Sequence, residues 1–410
     1  MTPCPCLCSC SAGKARLRLF LGLYLLASTV GLIWGGSWAL IGIIGALLMA
    51  ALARVESGRW PLPTRMAVLF ACGLLGAMTL SIASALDPAI AKASTLKMAT
   101  ILLPLMLFSS PAFYREGAEE AFKPWLIAVG LAFSLLVMDV LIVSDMIKEQ
   151  KTITDFIAKR NRGFSYNALL MWPLMACLVS VPALPQRRFR WVMGALAAVF
   201  VVGLAVTNSR ATQTGFLMAC GLFFVSLFFF RAAFSVVCAG SFAALFWPLG
   251  AALLFAKAPA VVEKLPASWH MRVEIWDYTA HRIAERPFQG YGLGNSKLLD
   301  VMQPNGASYL FVKEAAAHSH NAVCQAWSEL GVLGPFFIAF LAAWTLRGLY
   351  RLEPRLRPYA LAAYVVAFWL SMVAYNFWTD SLWAAFALTA ASFALLQARE
   401  IKASLRGKDA

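Results

Sequence analysis

The sequence predicts an all-α fold, a polytopic transmembrane helical bundle of about twelve spans with one long, partly helical loop on the non-cytoplasmic side. Three observations carry that expectation. Of 410 residues, 61% are hydrophobic and only 13% are charged, and the mean hydropathy is +0.71, more apolar surface than a soluble domain of this length can bury. The apolar runs are far longer than the roughly 9–11 residues of a barrel strand, so helices satisfy the backbone inside lipid. The formal charge of +15 gathers in alternate connections, as the positive-inside rule demands.

Candidate spans occupy residues 19–33, 38–53, 66–85, 95–111, 125–143 and 168–181, then 191–206, 214–230, 233–255, 322–345, 359–373 and 381–396. They divide the chain into a first bundle at 1–256, a loop at 257–319, three closing spans within 320–398 and a tail at 399–410. Lys14, Arg16 and Arg18 precede the first run like a signal-peptide start. No convincing small-residue cleavage pattern follows, so a retained helix is expected. With the N-terminus inside, the inner segments include Arg54, Arg59, Arg65, Arg231, Arg347, Arg351, Arg355 and Arg357. Both termini are then cytoplasmic, and the basic balance implies anionic membrane lipids as inner partners and no nucleic acid.

Cys4, Cys6, Cys8 and Cys10 crowd the N-terminus, and five further cysteines are scattered singly among apolar residues. No disulfide framework is expected, and the one-residue alternation matches no standard zinc spacing.

Two regions on the outer side depart from short, polar-poor turns. Residues 144–167 carry Lys148, Lys151, Lys159, Arg160 and Arg162 and have an amphipathic character near 147–157, either an interfacial helix approaching anionic phosphate or a solvated basic loop. In the connection 257–319, Val273, Trp276 and Thr279 recur at helical spacing. They predict a helix over 268–286 stopped by Pro287, with glycines at 290, 292 and 294 forming a turn.

The candidate chemistry gathers at the same side. Arg210 follows Thr207, Asn208 and Ser209, where it either snorkels to headgroups or grips phosphate with its planar donor fork. Arg272, Arg282 and Arg286 belong to the loop helix, where Glu274, Asp277 and Glu285 offer ordinary ion pairs, less so for Arg272. His318 and His320 are two of only four histidines. A neutral imidazole there can accept a proton from a sugar hydroxyl, although capping the next helix, or a metal site with Cys324 or His281, are alternatives. Glu329 falls within the tenth span, where it pairs with an arginine or hydrogen-bonds inside the bundle. Asp380 ends the last outer turn, after Tyr375, and is placed to orient a basic residue.

His320-Asn321, nine residues, Gly331, two residues, Gly334 resembles the signature of the bacterial O-antigen ligase family, within a superfamily that also holds O-antigen polymerases. Asn208-Ser209-Arg210 with Gly215 resembles its arginine motif. Arg272 through Trp276, then Pro287, Gly290, Gly292 and Gly294, is similar to its loop segment. Pro335-Phe336 stands where some ligases carry threonines. The resemblance implies transfer of a glycan from undecaprenyl pyrophosphate to lipid A-core oligosaccharide at the periplasmic face of the bacterial inner membrane. That transfer is inverting and uses no metal or other cofactor. It casts His320 as base and Arg210 and Arg272 as catalytic arginines on the donor pyrophosphate. His318, Arg162, Arg282, Arg286 and Asp380 complete the expected substrate-binding set. A polymerase of the same superfamily, differing in its acceptor, and a membrane transporter stay open as alternatives.

Overall fold

The computed structural model describes residues 38–114, 154–180, 209–299 and 318–406, with a few isolated positions elsewhere. The expected spans at 19–33 and 125–143, most of 191–206, the N-terminal cysteines and most of the proposed interfacial stretch lie outside the described residues.

The described regular structure is helical throughout. In chain order the helices are α1 (Trp38–Ser57), α2 (Arg65–Leu80), α3 (Pro88–Leu105), α4 (Thr154–Ser180), α5 (Arg210–Ala243) and α6 (Trp247–Lys257). They continue with α7 (Pro259–Glu263), α8 (Ala267–Glu285), α9 (Ala322–Leu330), α10 (Leu333–Tyr350), α11 (Arg357–Val373) and α12 (Asp380–Arg406). Local chemistry sets several starts. Thr64 accepts a hydrogen bond from Ala67 N, Asp87 accepts from Ala89 N and Ile90 N ahead of Pro88, and Asn321 accepts from Cys324 N. Four stretches are long and apolar enough to cross a membrane: Pro88–Ser109, Arg210–Lys257, Leu333–Tyr350 and Asp380–Ile401. Arg65–Leu80 and Arg357–Val373 are shorter apolar helices.

Arg210–Lys257 is 48 residues long, about 72 Å if straight, more than twice a hydrocarbon core of about 30 Å. It folds back instead. Phe229 leaves helical geometry at φ −129°, ψ 53°. Before it, Phe223 packs on Tyr359 at 4.8 Å between ring centroids, and at the break itself Arg357 lies over Phe230 at 6.0 Å. After it, the Ser241 hydroxyl meets the Tyr364 hydroxyl at 2.9 Å. An uninterrupted helix would carry Ser241 about 16 Å past Phe230, away from Tyr364. The two expected runs are therefore antiparallel limbs, with the reversal at Phe229, two residues before Arg231.

One end of the bundle, here the lower end, carries Arg231, Arg347, Arg351 and Arg357. The upper end carries the connections 81–87, 286–296, 318–321 and 373–380, together with α8 and α9. Expectation and structure part at two places there. From Thr154, the expected outer loop 144–167 is helical and continuous with the next run. Its polar residues left a helix and a solvated loop both open, and Ser165 Oγ donates to Asn161 O at 2.9 Å and Asn167 Nδ2 to Gly163 O at 2.9 Å. Each thus bonds back into its own helix and is buried. The expected tenth span, 322–345, is broken at Gly331, whose φ is +63°. Only α10 runs down the bundle. The short α9 belongs to the upper layer, because Glu329 bonds there to Gly294 and Ser296.

Glycine is required at that break. A Cβ on Gly331 would lie 2.0 Å from Phe288 O, and one on Gly334 would lie 2.1 Å from Ala326 O. The chain thereby turns out of α9 and lays α10 against it, while Tyr291 N and Gly292 N donate to Ser328 O and Glu329 O at 2.8 and 3.0 Å.

Candidate active site

The site is built on the C-terminal end of α11, whose last carbonyls have no partner within the helix. Side chains from other elements take them. Asn321 Nδ2 donates to Met372 O at 3.3 Å, Arg272 Nε to Val373 O at 2.9 Å, and His320 Nδ1 lies 3.1 Å from Ala374 O. Three consecutive carbonyls thus fix an asparagine, an arginine and a histidine. The negative end of the helix dipole also favours the guanidinium.

Arg272 reaches them because α8 packs its opposite face inward. Val273, Trp276, Thr279 and Ile283 are buried on α8, Trp276 Nε1 donates to Ser319 O at 2.9 Å, and its ring meets Trp247 edge-on at 5.2 Å. Arg272 is held a second time by Nη1 donating to Ser268 O at 2.6 Å, and its guanidinium lies 5.8 Å from the Trp269 ring. Burial lowers its pKa from the ordinary arginine value, yet an arginine stays charged. No carboxylate pairs with it among the described residues.

His320 is the one described non-glycine residue with positive φ, at +50°. Asn321, the N-cap of α9, follows it, and Ala374 O holds the ring. A carbonyl oxygen only accepts, so Nδ1 carries the proton and Nε2 presents a free lone pair. Burial lowers the His320 pKa, opposed by the Ala374 hydrogen bond, and the charge of Arg272 lowers it further. The His318 ring stands 4.0 Å from that of His320, tilted by 44°. Burial, His320, Arg162 and Arg272 push His318 down to about 3. Both imidazoles are therefore neutral at ordinary pH, and Nε2 of His320 is equipped to accept a proton.

Arg210 is the exposed first residue of α5. The α5 start is tied to the same corner because Trp369 Nε1 donates to Ala211 O at 3.0 Å, and Trp369 packs 6.2 Å from Trp269. Gly215 makes room for this, since a Cβ there would sit 2.6 Å from the Trp369 ring. Arg162, exposed on α4, acts electrostatically on His318 and Tyr375. Beside it a chain of hydroxyls runs from Ser209 to Thr212 (2.7 Å), to Ser165 (2.6 Å), to Tyr375 (2.6 Å). The structure therefore gathers Arg162, Arg272, His318 and His320 around residues 373–375, with the start of α5 bonded nearby.

The other expected residues sit apart. Arg282 contacts Glu285 at 3.0 Å and its guanidinium lies 5.3 Å from the Tyr278 ring. Arg286 donates to Ser84 O at 3.4 Å and covers Tyr291 at 4.9 Å. Asp380 does orient a basic residue, Lys97, at 3.6 Å. Glu329 is wholly buried and bonds within the upper layer, to Gly294 N, Ser296, Gln325 and Trp378 and, among the described residues, to no arginine. Among the described residues no group of three or more His, Cys, Asp or Glu is arranged to hold a metal ion. Cys324 and His281 do not join the histidine pair, since Cys324 is buried in α9 and His281 Nδ1 meets Asp277 O at 2.9 Å. The sequence reading missed Ser165, Thr212 and Gln325. The i,i+4 spacing of Gln325 and Glu329 on an otherwise apolar helix was the available signal for the last of these.

Helices long and apolar enough to cross a membrane are thus capped by a layer that holds a neutral imidazole and a buried guanidinium on adjacent carbonyls. Residues 194–339, which include Arg210, Arg272, His318 and His320, match the family model described as O-antigen ligase. A Rickettsia conorii protein named as a polysaccharide ligase is 29% identical over 119 residues, 28% of each chain. A similarly named Rickettsia bellii protein is 25% identical over 192 residues, 44% of this chain and 47% of that one. The matched segments thus span less than half the length of these relatives.

Proposed function

We propose that the protein is an inverting glycosyltransferase of the inner membrane that moves O-antigen glycan from undecaprenyl pyrophosphate to lipid A-core oligosaccharide. The observation that carries this is the pair of adjacent carbonyls, Val373 O holding Arg272 and Ala374 O holding His320, which sets a neutral base next to a cation without a carboxylate partner. The similarity of residues 194–339 to the O-antigen ligase model supports the substrate class.

The chemistry follows from those groups. Nε2 of His320 takes the proton of an acceptor sugar hydroxyl as that oxygen bonds to the anomeric carbon of the donor. The bond from that carbon to the pyrophosphate oxygen breaks, and its electron pair leaves with the pyrophosphate. Attack opposite the leaving group inverts the centre. Negative charge grows on pyrophosphate as the bond breaks, so fixed cations stabilise the transition state more than the bound donor. Arg272 is pre-positioned for this, and Arg210 and Arg162 extend the basic mouth. Arginines supply this charge without a metal ion. His318, Arg282, Arg286 and Asp380 are assigned to substrate binding, the first beside the base and the others around the acceptor glycan. Excess Lys and Arg at the lower end orients it to the cytoplasm together with both termini, so transfer occurs on the periplasmic face.

The test is transfer in vitro with purified protein, undecaprenyl-pyrophosphate glycan and rough lipopolysaccharide, in EDTA. Capped lipopolysaccharide from the unmodified protein but not from His320→Ala is expected. Lengthening of the donor glycan without capping would make it a polymerase, and neither product would send the function back to transport.

A further inference from the structure

Glu329 lies outside the reaction just described, yet it is the most deeply buried acid at the upper end, with no exposed surface. Its Oε2 accepts from Gly294 N at 2.9 Å and from Trp378 Nε1 at 2.7 Å, and its Oε1 from Ser296 Oγ at 2.8 Å and Gln325 Nε2 at 3.3 Å. Gly294 N and the indole N–H can only donate. Gln325 is committed as well, because its Oε1 accepts from Phe377 N at 3.0 Å and its Nε2 also serves Asn376 Oδ1 at 3.0 Å. At least three of the four contacts therefore require an accepting oxygen at residue 329, and only the Ser296 hydroxyl is free to reverse.

Burying a carboxyl without a cation is costly, and a brace alone is obtained more cheaply with apolar packing. What this carboxyl joins explains its presence. Its partners come from three upper-layer segments, the 290–296 turn, α9 and the 375–380 turn, that a helix-to-helix interface would not fix. Through Gln325 and Asn376 it reaches the stretch that offers Ala374 O to His320 and Val373 O to Arg272. The two site residues depend on that stretch unequally. Arg272 has a second anchor at Ser268 O and lies against Trp269. Among the described residues, His320 has Ala374 O as its one hydrogen-bond partner to set its tautomer, with the His318 ring beside it.

We propose that Glu329 is a positioning residue for His320, acting through Gln325 and Asn376 on the Ala374 carbonyl. Its loss then weakens proton removal while leaving the arginine that meets the donor in place. The inference rests on the glycan-transfer reading.

Glutamine at 329 keeps the bulk and the contacts to Gly294 and Trp378, but sets an amide N–H₂ against that of Gln325. In the transfer assay Glu329→Gln is expected to lower kcat about tenfold, the worth of one charge-assisted hydrogen bond, with KM for the donor changed less than about twofold. Gln325→Ala should give a similar loss, and the double variant no more than the larger single one, because both cut the same link. Glu329→Asp should recover part of the rate. Thermal melting in detergent accompanies each variant, and rates are taken per folded molecule. A lowered melting temperature with kcat unchanged would make Glu329 a brace only and overturn the proposal, as would additive losses or a rise in donor KM alone. If the unmodified protein transfers and Glu329→Gln matches it, the positioning role falls and the transferase reading stands. If the unmodified protein is inactive toward both acceptors, the two fall together.

Discussion

The two ends of α8 carry arginines in opposite circumstances. At its N-terminal end Arg272 is half-buried, is bonded only to carbonyl oxygens and meets no described carboxylate. Nearly three turns on, Arg282 is joined to Glu285, and Tyr291 closes the same group by donating to Glu285 at 2.6 Å. Tyr291 and Arg282 pull the Glu285 carboxyl below its ordinary range against the opposing effect of burial, and that same carboxylate beside it pushes Tyr291 up to about 12, after burial. One guanidinium has its charge answered by a carboxylate, and the other, among the described residues, is met by carbonyl dipoles alone. The difference teaches that an arginine's role is set by which acceptors the fold places around it, carbonyl dipoles or a full negative charge.

The comparison is broken most strongly through the base that shares the Arg272 corner. His320→Ala is expected to reduce transfer about 10²–10⁴-fold, measured as capped lipopolysaccharide per folded molecule, and full activity would remove the assigned base. Arg272→Ala follows, with a loss of about 10²–10³-fold in kcat, typical of one preorganised donor to a developing oxyanion. Arg272→Lys should not restore the rate, because an ammonium cannot reproduce the fork held between Val373 O and Ser268 O; rescue by lysine would reduce its part to simple charge.

The pH dependence comes next in size. His318 has a pKa pushed down to about 3, from an ordinary value of 6.5. Below 6.5 the unfolded chain takes up a proton that the folded protein resists, so the folded state is fully favoured above that pH and loses stability as pH falls toward 3. Melting temperature from pH 7 to 4 should therefore decline, and His318→Phe should flatten the decline. His320 is shifted in the same direction, so transfer should persist below pH 6.5. The smallest effect is expected at the other end of α8. Arg282→Ala should cost stability about 1 kcal/mol or less, since Glu285 is nearly half exposed, and should change transfer only as far as Arg282 touches the acceptor glycan. A loss there as large as that of Arg272→Ala would erase the distinction between the two ends.

Composition and periodicity were enough for much of the molecule. Apolar run length identified α2, α3, α10, α11 and the two limbs that meet at Phe229, because the cost of open backbone groups in lipid leaves helices as the answer. Helical spacing with Pro287 as its stop placed α8 within a residue of its observed ends, and the glycines at 290, 292 and 294 do adopt positive φ. The histidine and arginine candidates were visible as rare polar residues at apolar boundaries. What stayed open or failed did so where long-range contacts decide. Residues 154–167 read as either a helix or a solvated loop, and the bonds of Ser165 to Thr212 and Tyr375, far along the chain, tie them as a helix into the bundle. Residues 322–345 look like one span until Gly331 is seen pressed against Phe288.

The sequence by itself determined an all-helical chain of membrane-spanning character and a set of cations and imidazoles at one end, because hydrophobic run length and helical period are local properties. Only the tertiary structure decided which of them act together. The free carbonyls at the end of α11 lie about fifty residues from His320 and about a hundred from Arg272, and no local pattern records which side chains will fill them. Glu329 shows the same limit, since the sequence marks a buried acid but only the packing of two distant segments onto α9 supplies most of the donors that occupy it.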